Sequence, residues 1–117
     1  MQEHTLSSYD EQLGAIAADL NEMGRMAWRL TADALEALGS SDAAKAHKVI
    51  EADKPIDEMQ HRIEQQAVLT IAKYQPMAVD LRVLVAAMRV ANDLERVGDL
   101  AKNIAKRTIA IDAPLRS

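Results

Sequence analysis

The sequence predicts an all-α protein, an antiparallel up-down-up bundle of three long helices. Three observations carry that expectation. Apolar residues recur every three or four positions over long stretches, which is the spacing of one helix face. The apolar content is Ala, Leu, Ile, Val and Met with no Phe and few aromatics, the mixture that fills helix–helix seams. The stretches are separated only by short breaks at Gly39-Ser-Ser-Asp42 and Gln75-Pro76, so successive helices must return antiparallel. At 117 residues the chain, 1–117, reads as a single domain with a modest core.

Helix one is expected over about residues 8–38. Ser8-Tyr-Asp-Glu11 has the form of a capping box, in which hydroxyl and carboxylate satisfy orphan amides at a helix start. Leu13, Ile16, Leu20, Met23, Ala27, Leu30, Ala34 and Leu38 then form a heptad-like seam. Gly39 is expected to take the left-handed C-terminal cap, with Ser40, Ser41 or Asp42 as the next N-cap.

Helix two is expected over about 42–74. Its inward face reads Val49, Asp53, Ile56, Gln60, Ile63, Ala67, Ile71 and Tyr74, so two polar residues interrupt it. Pro55 lies inside the pattern and should kink the helix, because it lacks an amide proton and clashes one turn back. Gln75-Pro76 ends it, and Pro76 suits the first turn of helix three, expected over about 77–109 and ending before Asp112-Ala-Pro114.

Helix three has two faces that want different things. Val83, Ala87, Val90, Leu94, Val97, Ala101 and Ile104 form one apolar stripe, read here as core. Asn92, Glu95, Asp99 and Asn103 follow the same spacing on the opposite side, with Gly98 beside them keeping bulk low. Leu81, Leu84, Val85 and Met88 share roughly that side. An isolated bundle would leave part of this apolar surface exposed, and such a surface implies a partner, most simply a second copy in a homodimer.

The composition excludes several classes. Formal charge is −4 with the signs interleaved, so no basic stripe awaits nucleic acid. There is no Cys, hence neither a disulfide nor a thiolate metal site, a usage that fits the cytoplasm. Met1-Gln-Glu-His-Thr lacks the basic start and apolar core of a signal peptide, and no apolar run approaches the roughly 20 residues of a membrane span. A soluble protein is expected. No Ser-His-Asp set, glycine-rich phosphate loop or Cys-His arrangement is present, and catalysis has no visible machinery.

The acids are the candidate site. Glu95 and Asp99 stand one helical turn apart, where like charges mildly destabilise a bare helix, and no Lys follows at a position that compensates both. They read either as a solvated acidic face or as cation ligands. Oxygen-only ligation favours hard or intermediate cations, so manganese and magnesium compete with iron and zinc. Asp53 and Asp57 repeat the spacing around Pro55. Asp53 is either a ligand, a cap for the amides freed at Pro55, or an ion-pair partner of Arg82 or Arg96. Asn92 and Asn103 are weaker ligand candidates, since amides also bridge helices. Arg82 and Arg96 read as partners of Asp80, Asp93 or Glu95 before any anion site. Glu58-Met-Gln-His61 matches one Glu-x2-His element of di-iron bundles, but a second copy is lacking and His61 reads as surface. His4 and His47 have no partners at ligand spacing.

Asp53-Lys-Pro-Ile-Asp57, Gln75-Pro-Met-Ala-Val-Asp80-Leu-Arg82 and Asp93-Leu-Glu-Arg-Val-Gly-Asp99 followed by Asn103-Ile-Ala resemble the PhoU phosphate-transport regulators. Full-length members contain two three-helix repeats, and this chain is similar to one of them, the N-terminal half. The resemblance implies a non-enzymatic cytoplasmic adaptor that negatively regulates phosphate uptake and phosphate-starvation signalling. Such an adaptor works between the ATPase subunit of the phosphate ABC transporter and a sensor histidine kinase, and meets the membrane only through them. It also implies multinuclear iron or zinc held by Glu/Asp-x3-Asp motifs, which here fall on Glu95 with Asp99 and on Asp53 with Asp57. Two rivals remain: a metal-free helical dimerisation module, and a carboxylate-bridged metalloenzyme.

Overall fold

A computed structural model describes the backbone of residues 2–116 and the side chains of residues 7–111. Met1 and the side chain of His4 lie outside the described residues, and so do the side chains of Asp112 and Pro114. The chain forms four helices and, among the described residues, no strand: α1 (Gln2–Gly39), α2 (Ala43–Ala52), α3 (Lys54–Tyr74) and α4 (Ala78–Arg116). Helices α2 and α3 are two parts of one course interrupted at Asp53, so the architecture is a three-layer helical bundle, 69 × 18 × 16 Å along its principal axes.

Paired side chains give the directions. Tyr9 stacks near Tyr74 with ring centroids 5.2 Å apart, Arg62 grips Asp19 at 2.8 and 3.3 Å, and Lys45 meets Glu36 at 2.8 Å. Positions rise along α1 as they fall along α2–α3, so the two run antiparallel. Gln60 bonds Asn92, and Asp53 lies beside Gly98, which sets α4 antiparallel to α2–α3 in turn.

Several local expectations are corrected. Ser8 is not a cap, since α1 is already helical from Gln2. Gly39 remains helical, and the left-handed residue is Ser41 at φ 51°. The Asp42 amide donates to the Ala37 carbonyl at 2.9 Å and the Ser41 amide to that of Leu38 at 3.3 Å. These paired bonds place the left-handed residue two positions beyond the glycine. Asp42 then caps α2 by accepting from the Lys45 amide at 3.0 Å. At the second turn Gln75 is left-handed at φ 46°, and the Met77 carbonyl accepts the first bond of α4 from the Leu81 amide at 2.9 Å. Pro76 therefore precedes the helix and does not sit in its first turn. Helix α4 also continues past Asp112-Ala-Pro114 to Arg116.

The core is dominated by small residues. Ala27, Ala34, Ala37, Ala46, Ala67, Ala87, Ala91, Ala101 and Ala105 are buried around Ile16, Met23, Leu30, Val49, Ile56, Ile63 and Leu84. Alanine lets helix axes approach closely, while each buried Ile or Leu contributes about 1.5–3 kcal/mol through lost apolar exposure. The same logic corrects part of the face assigned to α4, whose Ala87 and Ala101 are buried and whose Leu94 and Ile104 pack against the core as expected. Val83, Val90 and Val97 are 52%, 44% and 37% exposed, whereas Leu84, Ala91, Gly98 and Ala105 are buried. Two apolar stripes lie one residue, roughly 100°, apart on this helix. Along the middle of the helix the bundle selects the stripe of smaller residues, Ala91, Gly98 and Ala105, because closely packed helices leave little room for Val90 and Val97. Leu84, expected on the outward side, heads that same stripe and is fully buried. The outward apolar surface includes Leu81 as expected and runs on through Val83, Val90, Val97 and Leu100, and part of it lines a groove of about 260 Å³ with Leu13, Ala17 and Leu20 of α1.

Candidate functional site

The rotation of α4 moves its acids. Glu95 and Asp99 flank the buried Gly98 seam and do not lie opposite the core, so they face the point where α2 meets α3. That junction is where Pro55, in the first turn of α3, interrupts the helical course. Asp53 occupies the break with helical torsions (φ −72°, ψ −27°), and its carbonyl accepts from the Ile56 and Asp57 amides at 3.1 and 3.2 Å. Its side chain makes no capping bond and is turned inward, 1% exposed. Capping of the freed amides is thus not the role of this carboxylate.

Gly98 makes the inward turn possible. A Cβ at this position would stand 2.7 Å from Asp53 Oδ1, closer than atoms pack, and 3.4 Å from two carbons of Ile56. The glycine lets the α4 backbone pass directly over the Asp53 carboxylate. One oxygen each from Asp53, Asp57 and Asp99 then falls within 4.8 Å of the others. Glu95, one turn from Asp99, lies close enough to Asp99 and Asp57 for their carboxylates to act on it. The two i, i+4 pairs read from the sequence converge on one node between α2–α3 and α4.

The electrostatics of that node are unfavourable without a cation. Burial raises the Glu95 carboxyl to about 7, helped by the neighbouring carboxylates of Asp99 and Asp57 and their negative charge. Two carboxyl groups can bond each other only by sharing a proton, so near neutrality Glu95 holds one part of the time. Asp53 is raised as well, first by burial and then by the charges of Asp57 and Asp99. Asp53 Oδ1 and Asp57 Oδ1 are buried with no hydrogen-bond partner among the described residues. Such orphaned oxygens are rare in folded proteins and ask for an explanation. Three convergent carboxylates, two oxygens of them unbonded, are a hard-oxygen donor set of the kind that magnesium, manganese, iron or zinc accepts, and Glu95 stands beside them.

The remaining candidates separate cleanly. Asn92 accepts from Gln60 Nε2 at 3.2 Å, while the same amide donates to Glu64 at 3.3 Å. It therefore bridges α3 and α4 as a hydrogen-bonder. Asn103 is exposed and lies outside the node, as do Glu58 and His61. Arg82 and Arg96 are exposed and form no ion pair among the described residues, with Asp53 or with the acids nearer to them. The cation beside Asp53 is Lys102, its Nζ 3.8 Å from Oδ2. Sequence reasoning missed this residue because it weighed lysines only against acids of their own helix. The signal was present: Lys102 stands one turn after Gly98, on the same side of α4.

Fold and site together define an all-α bundle with an acidic, cation-suited node between two helices. The PhoU domain model matches residues 20–108, and the chain belongs to the PhoU family. It is 48% identical over 108 residues to the phosphate-specific transport system accessory protein PhoU homolog of Rhizobium meliloti, covering 92% of this chain and 46% of that one. The Caulobacter vibrioides homolog is 43% identical over 111 residues, 95% of this chain and 48% of that one. Homolog 1 of Thermotoga maritima is 35% identical over 101 residues, 86% of this chain and 44% of that one. The chain spans about half the length of the curated relatives it matches. No helix among the described residues is long and apolar enough to cross a membrane.

Proposed function

We propose that this chain is a non-enzymatic, metal-binding adaptor that negatively regulates phosphate uptake and phosphate-starvation signalling. The carboxylate node carries the metal part of the reading, through its two orphaned oxygens. The relatives, named as accessory proteins of a phosphate-specific transport system, carry the regulatory part. Asp53, Asp57, Glu95 and Asp99 hold the cation. Bound there, it supplies positive charge that neutralises the node and ties α4 to the α2–α3 junction, fixing the outer faces of the bundle. Those faces are what the adaptor offers, in the cytoplasm, to the transporter ATPase and to a sensor histidine kinase. A second copy packs on the outward seam of Val83, Val90, Val97 and Leu100, which gives a homodimer without further machinery.

The test is metal content after exposure to iron, zinc or manganese and desalting. Wild-type protein retains metal, and Asp53→Asn and the double variant Glu95→Ala, Asp99→Ala lose it. Unchanged content in the double variant overturns the ligand assignment. A wild-type protein that binds none of the three yet still dimerises by light scattering favours the metal-free helical module instead.

A further inference from the structure

We infer that Lys102 is the built-in counter-ion of the carboxylate node and that a divalent cation displaces its ammonium into water on binding. The inference rests on the metal-binding reading above. The two ends of the Asp53–Lys102 pair are unlike. Asp53 is 1% exposed, set by the helix break and pressed against Gly98, so its carboxylate has nowhere to go. The Lys102 side chain is 33% exposed and carries a compact charge on a flexible four-carbon stem. Its Nζ stands 3.8 Å from Oδ2, beyond hydrogen-bonding distance. It neutralises without being locked in place.

Meanwhile Asp53 Oδ1, on the other side of the same carboxylate, has no partner among the described residues. One buried carboxylate thus presents one oxygen to a movable cation and leaves the other open. A divalent ion accepted by the carboxylates of Asp53, Asp57 and Asp99 brings positive charge close to the ammonium. The repulsion falls on the partner that can leave, because water already reaches Lys102 and does not reach Asp53. Metal occupancy is thereby written onto the outer surface of α4 as a change in the position of one lysine. Lys102 also sets affinity, since an ion must outcompete it before it binds.

The measurement is a calorimetric titration of metal-stripped protein with manganese(II), on wild type, Lys102→Met and Lys102→Arg. Removing a positive charge a few ångströms from the ion strengthens binding on the order of tenfold after solvent screening. Lys102→Arg, which keeps the charge, stays near wild type, as does the control Lys73→Met, whose exposed lysine lies in the last turn of α3, some twenty residues from Asp53. A second readout needs no variant: the rate of acylation of Lys102 in wild-type protein, followed by mass spectrometry with and without magnesium or zinc. That rate rises several-fold with metal, against the exposed Lys48 and Lys54 as internal references. Equal affinity in Lys102→Met, or unchanged labelling when metal is bound, overturns the counter-ion role and leaves the metal site standing. A wild-type protein that binds no divalent cation overturns both.

Discussion

Two layers of the bundle, a few turns apart, solve burial in opposite ways. Around Ile63 the layer is mainly apolar: Ile63, Ala67 and Ala91 are buried, Gln60 and Asn92 bond each other at 3.2 Å, and the one buried oxygen without a partner there among the described residues is the neutral amide Oε1 of Gln66. Around Asp53 the layer is polar and incomplete, with a carboxylate as buried as any isoleucine and an oxygen left unbonded. The first layer buries no charge. The second buries a carboxylate whose nearest cation, Lys102, stands 3.8 Å away and is itself partly in water. The difference separates a layer that serves stability from one that costs it, since a buried charge is often replaced by an apolar side chain without loss.

The largest expected effect lies in the apolar layer. Ile63→Ala removes a fully buried side chain between three helices, and the lost transfer energy plus the residual cavity should destabilise the protein by about 2–5 kcal/mol. Chemical denaturation should show a lower midpoint with an unchanged slope, with or without metal. Asp53→Asn, at an equally buried position, should leave the metal-free protein no less stable than wild type, because it removes a charge with inadequate compensation. If metal-free Asp53→Asn fell as far as Ile63→Ala, the two layers would not differ in kind.

An intermediate effect is expected at Gly98, where the layers' rules meet. Alanine there would place its Cβ 2.7 Å from Asp53 Oδ1 and 3.4 Å from Ile56. Neither neighbour is a free side-chain end in solvent, so the helices must part or the carboxylate must swing. Overpacking of this sort typically amounts to about 1–3 kcal/mol, partly offset by about 1 kcal/mol of helix propensity. Gly24→Ala is the control: a Cβ at that helical position meets nothing within 4 Å, so only the propensity gain applies and the melting temperature should rise. Gly98→Ala should in addition weaken metal retention, while Gly24→Ala should not. A Gly98→Ala protein that melted and bound metal like Gly24→Ala would remove the close passage of α4 over Asp53 from the description of the site.

How much of this was legible in the sequence follows from the same contrast. Helix type, order and the places of the turns were readable because they depend on local spacing and on the breaks at Gly39-Ser-Ser-Asp42 and Gln75-Pro76, though the individual caps were not, and the inward face of α2–α3 was readable including Asp53. The pairing of the acids as Asp53 with Asp57 and Glu95 with Asp99 was also visible, from i, i+4 spacing and from the family resemblance. The inner face of α4 was readable only in part, through Ala87, Leu94, Ala101 and Ile104. Val90 and Val97 outrank Ala91 and Gly98 in apolar bulk, and a hydrophobicity pattern chooses bulk. Close packing chooses smallness instead, a preference set by the other helices and therefore invisible along one. Lys102 was hidden for a related reason, since its partner lies on another helix. Ser41 took the left-handed turn in place of Gly39 because the closing bonds to Ala37 and Leu38 fix where that residue falls.

The smallest effect, and the one that most sharpens the contrast, is the pH dependence of the metal-free protein. The Glu95 carboxyl is raised to about 7 from its ordinary 4.5, so between those values the folded state binds more protons than the unfolded one. Stability then falls as pH rises through this window, because the slope of unfolding free energy with pH follows the unfolded-minus-folded proton count, which is negative here. Below 4.5 both states are protonated at this group and its contribution levels off. Asp53, raised by burial, adds in the same direction at lower pH. Metal-stripped protein should therefore melt at a higher temperature near pH 5.5 than near pH 8, opposite to a protein whose carboxylates are well paired. Glu95→Gln should flatten the upper part of that trend, and saturating manganese should reverse it, since a cation requires the deprotonated carboxylates. Ile63→Ala should lower the whole curve without changing its slope. A metal-free melting temperature that rose with pH across this window would mean that the node is already neutralised within the fold, and the distinction between the two layers would fail.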